Sequence, residues 1–325
     1  MNAPFSRRDL LRNAAASAAA LLLPAPLLAC TEGAPARWRK GLDADPRGPE
    51  DPDRARLATW TSALRTEGLS RPEARFGPSV TRVGELAAGT PYEPATLEAY
   101  LRAGGTGSGD EPLTLSLTRF DCVTLVESCL AVARVAAEPG LVSWEGFGRE
   151  TERMRYRGGL RRGYASRLHY FSEWIADGGR RGLVRDLGAE LGGVEDGRPL
   201  RFMTQHRGSY PALADDGVFR RIVEIERGLD RHPRTVIPTK LIPGVVGRIE
   251  TGDILAFATE IPGLDVTHTA YAYRDAGGIL RVLHAPLSGG VVEVTRSTLP
   301  EYVAAIRRST GIMVARPLRG APEAP

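Results

Sequence analysis

Residue types that usually announce a metal or nucleotide site are scarce in this 325-residue chain, which has three cysteines and five histidines. No HExxH and no CxxC is present, so the common local zinc patterns are missing. There is no Gly-rich phosphate loop, no internal repeat, no helix-turn-helix and no finger spacing. Arginine is dispersed without an aromatic-interleaved stripe, and the 43 basic and 39 acidic residues nearly cancel to a formal charge of +4. Nucleic acid is therefore not indicated as a partner, and no cofactor or metal is expected. Paired carboxylates are also wanting: Asp253 and Asp265 are separated by a strand and a loop, and neither has an acidic mate at helical spacing.

The only long apolar stretch lies near the start. Positive charge in residues 1–12 precedes a small-residue and leucine-rich run ending at Leu27-Leu28-Ala29-Cys30, the pattern of an export signal. The run is too short and too rich in alanine to be a convincing membrane span. Ser6-Arg7-Arg8-Asp9-Leu10-Leu11 resembles a twin-arginine signal, and the run before Cys30 resembles a lipoprotein cleavage box with Cys30 as the acylated residue. Thr31 stands where an aspartate would usually retain a lipoprotein at the inner membrane, so the expected address is the periplasmic face of the outer membrane. Residues 30–55, rich in Pro, Gly and charge, read as a tether, and 320–325 as a frayed tail. One domain is expected over 56–319, with an insertion at about 141–240, and a monomer is the expected state.

With Cys30 assigned to lipid, Cys122 and Cys129 remain. On one helix they stand about 10 Å apart, beyond the roughly 7 Å reach of a disulfide. A thiol kept free in an oxidising compartment invites a chemical explanation.

Short helical patterns occur at 56–68 and 80–88, with a further turn at 96–101. The strongest helix is 121–137, where Val126, Cys129, Leu130, Ala133 and Ala137 share a face, Asp121 caps the start, and Glu138-Pro139-Gly140 ends it. Residues 167–175 read as part of a helix, and a second helix is expected around Leu183. From Gly252 the period becomes that of strands, at 253–258, 268–273, 279–284, 291–294 and 311–315, with a helix at 299–308. Helices followed by antiparallel strands predict an α+β fold. A three-residue turn at 275–277 would set His268 directly opposite His284 on one face, whereas a two-residue loop would pair His268 with Ala285.

Cys122 would occupy the first turn of the long helix, where unpaired backbone N–H groups and the positive helix end favour a thiolate. Attack by sulfur on an amide needs an imidazole nearby, a third polar group to orient that imidazole, and donors for the developing oxyanion. His268 opens an alternating strand and is the first candidate base, with His169 its nearest rival. His284 is a candidate orienter or simply a sheet-edge histidine. Metal binding by His268, His284 and an acid stays open from these residues alone. Cys129, two turns into the apolar face, reads as a core residue.

Gly89-Thr90-Pro91-Tyr92, Phe120-Asp121-Cys122-Val123-Thr124-Leu125-Val126-Glu127, Arg167-Leu168-His169-Tyr170, Gly263-Leu264-Asp265-Val266-Thr267-His268 and His284-Ala285 together carry a resemblance. The chain resembles the N-acetylmuramoyl-L-alanine amidase-like family, long a domain of unknown function, within the NlpC-type papain-like cysteine hydrolases. The resemblance spans about residues 80–317. It implies a papain-like core with the nucleophile at a helix N-terminus packed on an antiparallel sheet, enlarged by the mixed insertion. It also implies a Cys122, His268, His284 triad, with Tyr92 near the nucleophile. Arg167, His169, Tyr170, Asp265 and Thr267 are the further oxyanion or substrate-binding candidates. The implied reaction is hydrolysis of the amide between N-acetylmuramic acid and L-alanine in peptidoglycan fragments. A γ-D-glutamyl-diamino acid endopeptidase and a non-catalytic muropeptide-binding lipoprotein remain alternatives.

Overall fold

Asp51 is a helix cap and not part of a tether. Its carboxylate accepts from the Asp53 N–H at 3.0 Å, Pro52 supplies a fixed φ in the first turn, and α1 runs Pro52–Thr66. The computed structural model describes residues 51–286 and 290–320. The leader, Cys30, most of the expected tether and residues 321–325 lie outside the described residues. Residues 51–55 of that tether belong to α1, because Leu57, Trp60 and Leu64 on it are buried and its Asp53 accepts from the Leu117 N–H at 2.7 Å.

Helix α2 (Phe76–Leu86) begins earlier than the pattern at 80–88 suggests, and the turn at 96–101 is a 3-10 segment leading into α3 (Ala99–Arg102). Helix α4 (Cys122–Ala137) matches its expected span. Asp121 and Thr124 close a reciprocal capping box at its start, with the Thr124 N–H donating to Asp121 at 2.7 Å and the Asp121 N–H to the Thr124 hydroxyl at 2.8 Å. The helix is buried on nearly every side, including Leu125, Val126, Leu130, Ala131 and Val132, because α1, α2 and α5 (Trp144–Arg155) cover the faces turned away from the sheet.

Two helix expectations are corrected. Residues 167–170 are not helical; α6 starts at Phe171 and runs to Arg180. The segment around Leu183 is also not a helix but the entry to strand β1 (Val184–Asp186). Gly182, at φ 67, ends α6 in a left-handed residue, and the Leu183 N–H returns to the Gly178 carbonyl at 2.8 Å. Beyond it lie β2 (Val194–Asp196), α7 (Phe202–Gln205), α8 (Asp216–Leu229), β3 (Arg234–Pro238) and α9 (Ile242–Val245). The mixed region thus lends three strands to the sheet, which the strand patterns alone did not suggest.

The remaining elements are β4 (Ile254–Thr259), β5 (Val266–Arg274), β6 (Leu280–His284), β7 (Glu293–Val294), α10 (Leu299–Ala305) and β8 (Ser309–Pro317). The sheet runs β2-β3-β8-β4-β5-β6-β7, with β1 also on β8, and every pair is antiparallel. The α+β expectation holds. One sheet face, with Ile254, Ala256, Tyr271 and Met313, packs on the helical layer of α4. The other, with Leu255, Phe257, Ala270, Val282 and Val314, packs on α9 and α10. A third apolar cluster, including Tyr164, Tyr170, Phe202, Met203 and Tyr210, belongs largely to the mixed region. Among the described residues no helix is long and apolar enough to cross a membrane.

The turn between β5 and β6 lies one residue later than 275–277. The Asp275 N–H bonds the Ile279 carbonyl, Gly278 adopts φ 78, and Arg274 pairs with Leu280 and Tyr271 with Leu283. Continued along the strands, this register sets His284 opposite Ala270 and not opposite His268. A slip of two residues keeps the same face, so the two histidines meet diagonally. On the β4 side His268 pairs with Phe257 and Val266 with Ala258, leaving Thr267 as the extra residue of a bulge beside His268.

Candidate active site

Cys122 is the first residue of α4 and only 3% exposed. It lines a cleft that His268 also lines, together with Asp121, Arg167, His169, Tyr170 and Asp265. The cleft encloses about 950 Å³ including its open mouth. Much of its wall is apolar, with Phe202, Met203 and Tyr210 contributed by the mixed region. Cys129, two turns down α4, is enclosed in the apolar core, and burial pushes its thiol well above the ordinary range. Neither cysteine is bridged.

His268 and His284 touch. The Nε2 of His268 lies 2.8 Å from Nδ1 of His284, with the rings edge to face. Phe257 stacks on His268 with centroids 5.6 Å apart, fixing the ring from one side. With Nε2 engaged, Nδ1 is the nitrogen of His268 left for proton transfer. Burial first, and then the charge of His284, holds the His268 imidazole well below its usual range. Burial alone lowers His284 to about 4. Both rings are therefore neutral at neutral pH. Among the described residues no three His, Cys, Asp or Glu side chains converge to hold a metal ion.

Tyr92 is tied into the structure by its backbone, whose N–H bonds the Gly290 carbonyl at 2.7 Å. Its hydroxyl is held protonated by burial and by the nearness of Cys122 and Asp121. The other candidates divide by what already engages them. Arg167 is buried between two carboxylates, Glu98 at 2.5 Å and Glu111 at 3.4 Å, so its charge is largely balanced within the protein. His169 lines the cleft, but its Nε2 lies 2.9 Å from the Tyr164 carbonyl and is a donor there. Burial and Arg167 lower its pKa well below the usual range. The Tyr170 ring faces the cleft while its hydroxyl donates to Glu226 at 2.7 Å, pinning α8 behind the wall. Asp265 accepts from the Ser172 and Val266 N–H groups, both at 2.8 Å, and so caps α6 from a distance. Thr267 is the bulge residue and is not part of the cleft lining.

Three contributors escape a reading of the sequence. Tyr302 on α10 brings its hydroxyl to 3.2 Å from Nδ1 of His284. Glu293 on β7, the cross-strand neighbour of His284, lies 3.9 Å from its Nε2. Glu98 holds Arg167 at the cleft wall. None belongs to a local pattern, and only the β6–β7 pairing could have pointed to Glu293. Chemically, the cleft joins a thiol at a positive helix end to a neutral imidazole oriented by a second imidazole.

Comparison with known proteins bears on the family and the fold. No curated protein matches the chain. A crystal structure of an N-acetylmuramoyl-L-alanine amidase from Bacteroides uniformis superposes with a TM-score of 0.68 at 30% identity, covering 75% of this chain and 99% of that one. A Bacteroides fragilis protein named a candidate xylanase superposes at 0.65 with 32% identity, over 72% of this chain and 99% of its own. A Legionella pneumophila protein, 18% identical, shares the fold at a TM-score of 0.57 over 83% and 95%. The family model for N-acetylmuramoyl-L-alanine amidase-like proteins matches residues 82–312, from α2 into the last strand of the sheet, and the chain belongs to that family.

Proposed function

We propose that the protein is an exported cysteine amidase that hydrolyses the bond between the lactyl group of N-acetylmuramic acid and L-alanine in peptidoglycan fragments, on a papain-like arrangement. The observation that carries the reading is the shared cleft: Cys122 at the start of α4 with His268, whose Nε2 is engaged by His284. Because burial keeps His268 neutral, the thiol proton passes to it as sulfur attacks the lactyl carbonyl carbon. The carbon–nitrogen bond then breaks, and the imidazolium returns the proton to the departing alanine amine. Water attacks the resulting thioester, giving one proton to His268, which passes it to the leaving sulfur as the lactyl carboxylate is released. Tyr92 stays protonated and near Cys122, so its hydroxyl is available to donate to the developing oxyanion.

The xylanase name borne by one relative suggests glycoside hydrolysis, which needs two opposed carboxyl groups across the bond. The acids of this cleft are otherwise engaged: Glu98 by Arg167, Asp121 by Thr124, and Asp265 by two backbone N–H groups. The amidase is therefore the better-supported chemistry. Incubation with MurNAc-tetrapeptide, with free tetrapeptide as control and mass spectrometry of both, tests it. Intact tetrapeptide is expected from the first and no cleavage of the second; release of L-Ala-D-Glu would replace this reading with the endopeptidase. Export and acylation at Cys30, with an outer-membrane address, complete the proposal and rest on the leader of 1–30.

A further inference from the structure

His284 has one ring nitrogen facing His268 and the other facing away, and its tautomer decides whether it can accept the proton-bearing nitrogen of His268. A neutral imidazole has one donor and one acceptor. If Nδ1 of His284 carried the proton, Nε2 of His268 would have to accept, and Nδ1 of His268 would be a donor that could not take the thiol proton. Something must therefore keep Nδ1 of His284 unprotonated.

We propose that Tyr302 is a positioning residue that does this, its O–H donating to Nδ1 of His284 and thereby locking the proton of that ring on Nε2. The inference rests on the cysteine-amidase reading for its consequence, but its geometry stands apart from it. The Tyr302 hydroxyl lies 3.2 Å from Nδ1 and makes no other hydrogen bond among the described residues, so an accepting role would leave its own proton without a partner. Its ring is fixed edge-on against both Phe257 and His284, with centroids 5.3 and 5.2 Å away, which aims the hydroxyl. On the far side, Nε2 of His284 is buried without a hydrogen bond among the described residues, and the Glu293 carboxylate lies 3.9 Å away. A lone pair at that nitrogen would face a carboxylate; a proton there is stabilised by it. Among the described residues the polar groups facing His284 are His268, Tyr302 and Glu293, and the two that flank the tautomeric choice favour the same form. Burial, Cys122 and Glu293 all keep Tyr302 protonated, so its donor is present throughout the working pH range. Tyr302 O–H and His268 Nε2–H then share the one lone pair of His284 Nδ1 in a three-centre bond, the histidine the shorter arm and the tyrosine the longer, and the Nδ1 lone pair of His268 is left as the base.

Nitrogen-15 NMR of histidine-labelled protein reads the claim directly. In the parent, Nδ1 of His284 is expected to show the shift of an unprotonated ring nitrogen and Nε2 that of a protonated one. Tyr302→Phe keeps the ring packing and removes only the hydroxyl. It is expected to give a mixture of the two His284 forms, with kcat lowered roughly tenfold, KM unchanged and the melting temperature little altered. A protonated Nδ1 in the parent, or a Tyr302→Phe protein with unchanged His284 shifts, overturns the proposal. The NMR arm is repeated in Cys122→Ala, where no thiol chemistry remains. Failure of the cysteine-amidase reading would appear as no release of tetrapeptide by the parent or as retained hydrolysis by that variant, and failure of the tautomer lock as wrong nitrogen shifts in both backgrounds.

Discussion

Two thiols seven positions apart on one helix meet opposite surroundings, one lining an open cleft beside His268 and one in closed apolar packing. Cys122→Ala is expected to abolish hydrolysis, while Cys129→Ala should retain it at the cost of a small cavity, about 1–2 kcal/mol. Alkylation of the native protein, followed by peptide mapping, should mark Cys122 first, since burial keeps Cys129 protonated. The same contrast shows what was legible beforehand. A thiol beside a capping aspartate and a histidine near the start of an alternating run are visible in the primary structure, although β5 begins two residues earlier, at Val266. Tyr302 and Glu293 are not, because they reach His284 from a helix and an edge strand that share no pattern with it.

The buried histidines also make stability depend on pH. His284 is lowered to about 4 from 6.5 by burial, so between those values the unfolded chain binds a proton that the folded chain refuses. Stability therefore falls as pH drops through that window, and His268, lowered for the same reason, adds to the slope. Urea unfolding across the window should show a loss on the order of 3 kcal/mol for His284. His284→Gln should flatten the slope, and an unchanged slope would contradict the burial argument.

Elements hold these side chains by close approach. Gly84 of α2 faces Leu283, the neighbour of His284, and a Cβ there would stand 2.6 Å from Leu283 Cδ2. Leu283 is wholly buried and cannot swing aside, so Gly84→Ala must push β6. The expected cost is about 1–3 kcal/mol of overpacking, only partly offset by roughly 1 kcal/mol of better helix propensity. Chemical denaturation should report the loss, and turnover should fall with it as His284 is displaced; a fully active, undiminished protein would show that α2 and β6 can part. At this scale the long buried elements were readable, since α4 and β4 to β6 carry unambiguous periods. The short strands β1 to β3 were not: two or three ladder pairs to a partner leave no period to detect, and tertiary contact decides them, β1 and β3 against β8 and β2 against β3. The helix expected around Leu183 failed for a related reason, because a single left-handed glycine outweighs several residues of favourable pattern.

For the molecule as a whole, the mixed region closes one side of the cleft, with Tyr170 bonded to Glu226 behind that wall. Delivery of that cleft to the wall is predicted to depend on Cys30. Full-length protein made in a lipoprotein-competent bacterium should partition with membranes in detergent extraction, and Cys30→Ser should release or misprocess it. A soluble, unacylated mature form of the parent would disprove the anchor.

The hydroxyl of Tyr271 donates to the Val126 carbonyl at 2.6 Å, joining the strand of His268 to the helix of Cys122 across 145 residues of sequence. During synthesis the helix therefore leaves the ribosome long before the strand that covers it. At about 5–20 residues per second the wait is roughly 7 to 29 seconds. For that interval a largely apolar helix bearing two thiols has no sheet to rest on, which makes this species the one most in need of a chaperone. The cleft that Cys122 shares with His268 therefore comes into being only once the strand of His268 has been made.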